Sequence, residues 1–105
     1  LMRYYDKSGT PITADEFARL KWNNDGDVSD YARIGLDKIT DTVEVSTVWL
    51  GLNHSFIREY PLMIFETLIF GGLYDGDIQR YGTEEQALAG HLHAVNEMRQ
   101  GRSPW

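Results

Sequence analysis

The chain has 105 residues, no cysteine, a net charge of −6 and a sequence pI of about 4.9. That length suits one domain, and the missing cysteines exclude disulfides, thiolate metal sites and cysteine nucleophiles. Both halves are acidic, which excludes a basic footprint for a phosphate backbone, and the apolar share of 42% is that of a globular chain.

Residues 2–5 read as a short strand and Asp6-Lys-Ser-Gly9 as a turn. Thr13 followed three residues later by Glu16 is a capping box, with Ile12 and Phe17 at the spacing of a hydrophobic staple. A short N-terminal helix is therefore expected from there to about Trp22, with Phe17 and Leu20 inward. Asn23-Asn-Asp-Gly26 ends it. Residues 31–39 read as a half-exposed or edge strand, with Ala32, Ile34 and Leu36 on one face.

Two apolar runs follow, Val43-Glu-Val-Ser-Thr-Val-Trp-Leu-Gly-Leu52 and Leu62-Met-Ile-Phe-Glu-Thr-Leu-Ile-Phe70. Their β-branched and aromatic residues fit a pleated surface, so they predict a long central hairpin. Polar residues interrupt them at Ser46, Thr47, Glu66 and Thr67. A symmetric hairpin places Glu66 near Thr47, where its role is a hydrogen bond to that threonine or an ion pair with an arginine.

Thr83 and Gln86 form a second capping box. The helix they open is expected over 83–100, with Leu88, Leu92, Val95 and Met98 facing the sheet. Gly101 stops it, and residues 101–105 read as a loose tail.

Several candidate sites fall on ordinary chemistry. His91 and His93 are two apart on a helix, so their rings diverge by about 200° and do not share a metal. The Asp/Gly clusters at 23–27 and 75–77 miss the EF-hand spacing and read as turns. Gly71-Gly72 lacks the lysine of a P-loop and the third glycine of a dinucleotide fingerprint. No common catalytic string occurs. The longest apolar run is far shorter than a membrane span. No cofactor is expected.

Three segments carry a resemblance: Val45-Ser-Thr-Val-Trp-Leu-Gly-Leu-Asn-His-Ser-Phe56, Pro61-Leu-Met-Ile-Phe-Glu-Thr-Leu-Ile-Phe-Gly-Gly72 and Arg80-Tyr-Gly-Thr-Glu-Glu-Gln-Ala-Leu-Ala-Gly-His91. Together they resemble a family of small uncharacterised proteins encoded by bacteriophages and prophages, over roughly residues 45–95. The connection departs from that pattern, because Ile57-Arg-Glu-Tyr60 stands where related chains are richer in glycine and proline. The resemblance implies expression in a host bacterial cytoplasm and implies no reaction.

These readings converge on one α+β domain spanning 1–105. It has an antiparallel sheet of three to five strands built on the hairpin, a C-terminal helix packed on one face and a short N-terminal helix. The leading functional expectation is a non-enzymatic phage accessory protein that binds a protein partner, such as a host factor or a second copy of itself. Trp49, Asn53, His54, Phe56 and Glu66 are the expected contact residues, with core burial the competing reading for Trp49. One alternative is a small metal-dependent or acid/base enzyme using His54, Glu66 and His91. Another is a structural or assembly protein of the virion.

Overall fold

The computed structural model describes residues 3–53 and 62–105. In chain order these form β1 (Tyr4–Tyr5), β2 (Pro11–Ile12), α1 (Ala14–Lys21), β3 (Arg33–Thr40), β4 (Val43–Trp49), β5 (Phe65–Phe70), β6 (Ile78–Tyr81) and α2 (Glu84–Arg99). Strands β3 to β6 make a four-stranded antiparallel sheet in sequence order, while β1 and β2 pair as a separate ribbon. Helix α2 packs across all four strands of the large sheet. The expected α+β architecture therefore holds, with four strands in the main sheet.

Local chemistry sets the N-terminal part. The Asp6 carboxylate accepts from the amides of Ser8 and Thr10, each at 2.9 Å, and turns β1 back into β2. The Tyr5 amide donates to the Gly51 carbonyl at 2.8 Å, which ties the ribbon to the end of the sheet. In α1 the Thr13 hydroxyl accepts from the Glu16 amide at 3.1 Å, as the capping box requires. Phe17 then stacks on Tyr4, with centroids 4.3 Å apart, and tilts against Trp49 at 5.6 Å. The Asp/Gly cluster after α1 is a turn closed by the Asn23 carboxamide, which accepts from the Asp25 and Asp27 amides.

The hairpin register pairs Val48 with Glu66, Thr47 with Thr67 and Val45 with Ile69. Glu66 thus lies one position away from the expected pairing with Thr47. In a strand one position is the difference between two faces. The face bearing Val45, Thr47, Trp49, Phe65, Thr67 and Ile69 is buried. Glu44, Val48, Glu66, Leu68 and Phe70 alternate with these residues and so point to the other face.

Strand β3 carries a register irregularity between Arg33 and Gly35. The extra residue there breaks the expected alternation. Ala32 is fully buried and Ile34 packs on the core, but Leu36 turns to the opposite face and is 52% exposed.

Helix α2 begins as expected. The Thr83 hydroxyl accepts from the Gln86 amide at 3.1 Å, and the Gln86 carboxamide accepts from the Gly82 amide at 3.2 Å. Its buried face matches expectation in part: Val95 is buried and Met98 packs on the core beside it, but the two leucines do not turn inward. Ala87, His91, Ala94 and Val95 face the sheet, whereas Leu88 is 47% and Leu92 58% exposed. The helix is rotated by about one residue from the leucine stripe. Small side chains on the contact face let the two backbones approach, and His91 takes the central position. The helix ends in a Schellman arrangement, with Gly101 at φ 75°, its amide on Met98 and the Arg102 amide on Glu97. Beyond it Pro104 is fully buried, so the expected loose tail is packed against the domain.

Two apolar clusters fill the interior. One gathers Trp49, Ile64, Phe65, Ala32 and Ala87; the other gathers Val45, Ile69, Ala94 and Val95. Thr47, Thr67 and His91 sit between them along the strands.

Candidate functional site

A line of polar side chains crosses the interface between sheet and helix. The Thr47 hydroxyl lies 2.6 Å from the Thr67 hydroxyl and 2.7 Å from His91 Nδ1. His91 Nε2 lies 2.7 Å from the Asp37 carboxylate, and Arg99 approaches the same carboxylate at 3.8 Å. At the far end the Tyr81 hydroxyl bonds Thr67. Asp37 only accepts, so His91 Nε2 carries the proton. With neutral imidazole the hydroxyls then run in one direction: Tyr81 to Thr67, Thr67 to Thr47, and Thr47 to Nδ1. Two glycines make room for this line. A Cβ at Gly35 would fall 2.5 Å from His91 Nε2, and one at Gly90 would fall 2.3 Å from the Tyr81 hydroxyl.

Asp37, His91 and Thr47 have the composition of a nucleophile triad but lack its access. Thr47 is fully buried and His91 is 2% exposed. Protein atoms occupy both imidazole nitrogens, and the Thr47 hydroxyl is held between His91 and Thr67. An attacking group needs a free approach to substrate, which this hydroxyl does not have. The line is a satisfied polar seam in the core. Among the described residues no buried side-chain nitrogen or oxygen lacks a partner.

The other face of the sheet is built differently. Register arranges it in three rows: Arg33, Val48, Glu66 and Arg80; then Leu36, Ser46, Leu68 and Ile78; then Lys38, Glu44 and Phe70. Leu36, Phe70 and Ile78 are each at least 40% exposed. Between the rows lies an open depression of about 330 Å³, lined by the apolar Val28, Leu36, Val48, Leu68 and Phe70 and by the polar Arg33, Glu44, Ser46 and Glu66.

Charge gathers at one end of that depression. Glu66 pairs with Arg80 at 3.1 Å. Arg33 donates to the Ser46 hydroxyl at 2.9 Å and has no carboxylate partner among the described residues. Lys21 is 7% exposed, donates to the Trp49 carbonyl and lies 5.8 Å from the Trp22 and Trp49 ring centroids. Burial pushes its ammonium down from 10.5 to about 8, with Glu66 acting to raise it and Arg33 to lower it. Glu66 is thus paired with Arg80 and within electrostatic reach of Lys21, while a second carboxylate, Glu44, also lines the depression.

The residues expected to contact a partner separate. Trp49 has no exposed surface; its ring meets Tyr31 edge-on at 5.1 Å and its indole N–H donates to the Tyr5 carbonyl at 2.9 Å. It is a core anchor, and its expected place on a binding surface gives way to burial. Asn53 is exposed and accepts from the Met63 amide at 2.9 Å. Glu66 is half-buried on the open face beside Arg80. His54 and Phe56 lie outside the described residues. The enzyme alternative required Glu66 and His91 to converge, but they occupy opposite faces of the sheet. Among the described residues no three His, Asp or Glu side chains gather as metal ligands.

Sequence reasoning missed Asp37, Thr67 as a partner of Thr47, and Arg33. The signal for the threonine pair was present, since Thr47 and Thr67 fall opposite each other once the register is centred on the connection. Arg33 became visible only with the bulge beside it. Comparison with protein-family models, curated proteins and solved structures gives no match.

Proposed function

We propose that this chain is a bacteriophage accessory protein that works without catalysis, by taking a protein partner on the open face of its sheet in the host bacterial cytoplasm. One observation carries the reading: an antiparallel sheet covered by a helix on one side presents on the other the exposed apolar side chains Leu36, Phe70 and Ile78, the first two of them lining a depression. Scattered apolar side chains are normal on a surface, but a contiguous set rimmed by charge marks an interaction face. The phage resemblance supports the host setting, and the acidic charge weighs against direct nucleic-acid binding. No described helix is long and apolar enough to cross a membrane.

Replacing Leu36 and Phe70 together with glutamate tests the reading. Both side chains are about half exposed, so the fold should persist, as checked by the melting curve. Protein captured from host lysate by the unaltered chain should be lost from the double variant. An identical capture profile from a folded variant would remove the open face from consideration.

A further inference from the structure

The charged end of the depression specifies what the partner brings. We infer that the depression accepts a carboxylate of the partner, set next to an apolar side chain, with the Arg33 guanidinium as its receiving group. This deepens the docking reading above and rests on it.

Arg33 is oriented by its bond to Ser46 at 2.9 Å and keeps its remaining donors without a carboxylate among the described residues. A guanidinium presents donors in a planar fork that matches a carboxylate in two parallel hydrogen bonds. The neighbouring carboxylate, Glu66, is already engaged by Arg80. Lys21 lies within electrostatic reach of both Glu66 and Arg33, and the second carboxylate of the lining, Glu44, stands on the row of Lys38 and Phe70, two rows away from Arg33. The floor of Leu36, Val48, Leu68 and Phe70 is apolar, so a bare inorganic anion would leave it uncovered. A volume of about 330 Å³ is at the small end for ligand sites, sufficient for one or two partner side chains.

The test uses 4-phenylbutyrate and its uncharged amide as probes on the full chain, read from the methyl NMR signals of Leu36, Val48 and Leu68. The acid should shift these methyls and bind roughly tenfold more tightly than the amide, the difference expected for one charge-assisted pair. Arg33→Gln should remove that preference while leaving the amide unchanged. Equal binding of acid and amide overturns the inference, as do shifts confined to other methyls. Inorganic phosphate shifting the same methyls as strongly as the acid also overturns it, in favour of a bare anion site. The acid–amide comparison on the unaltered chain decides the matter even where Arg33→Gln fails to fold. Failure of the probes leaves the Leu36/Phe70 capture test untouched. Probe binding without any captured partner keeps the anion site and removes the docking reading.

Discussion

His91 Nδ1 and the Thr47 hydroxyl meet at 2.7 Å from elements 44 residues apart, with no solvent at either atom. Thr47→Val keeps the shape and removes the hydroxyl. It leaves Nδ1 without its donor and the Thr67 hydroxyl without its acceptor, so a loss of about 1–3 kcal/mol in urea unfolding is expected. Thr67→Val added to it should cost less than the sum of the two single changes, because both act on the same line. Strict additivity would show that the hydroxyls do not form one network. An imidazole nitrogen shift pattern other than Nε2–H in the neutral form would break the assigned direction.

Gly35 is fixed by the ring above it. Gly35→Ala places a methyl 2.5 Å from His91 Nε2, too close without movement of the ring. A destabilisation of about 1–3 kcal/mol, typical of overpacking, is expected. In a His91→Ala background the same change should be close to neutral. A penalty that persists there would locate its cause in the backbone of β3.

Trp49→Ala is a stability mutation. The ring is fully buried against Phe17 and Tyr31, so about 3–5 kcal/mol should be lost. For a domain of this size that approaches the total stability. A variant with a native melting temperature would contradict the placement of the ring.

Lys21 gives stability a pH dependence with a defined sign. Its folded value of about 8 lies below the ordinary 10.5. Below pH 8 both folded and unfolded chains hold the proton, and the cost of burying the charge is fully present. Between about 8 and 10.5 the unfolded chain holds more protons, so stability rises with pH. The rise is on the order of 1–2 kcal/mol by pH 9.5, at 1.36 kcal/mol for each unit of separation. Burial raises the Tyr81 phenol above its ordinary 10.0, so its contribution is lost as pH climbs beyond that value and opposes the rise at the top of the window. Urea midpoints at pH 7.5 and 9.5 check this. Lys21→Met should flatten the difference, and an unchanged rise in that variant would assign it to another group.

Strand and helix positions were legible because their signals are local. Both capping threonines, the hairpin and the edge character of β3 follow from spacing within a few residues. Faces were harder to read. A single irregularity beside Arg33 turned Leu36 outward, and nothing in residues 31–39 announces it. The leucine stripe of α2 was the stronger hydrophobic pattern, yet Ala87, Ala94 and His91 won the sheet. Their advantage lies in backbone approach and in hydrogen bonds to Thr47 and Asp37, which come from distant strands. Short β2 and β6 escaped notice because two to four residues carry little periodicity.

Besides His91, the buried face of α2 carries only Ala87, Ala94 and Val95, so apolar shape constrains its longitudinal setting weakly. His91 removes that freedom. One turn in either direction carries Ala87 or Val95 opposite Thr47, and the bonds of the imidazole to Thr47 and to Asp37 would then be lost. The seam therefore acts as a registration pin: it selects one longitudinal setting of α2 from several that hydrophobic contact alone would treat as near equals.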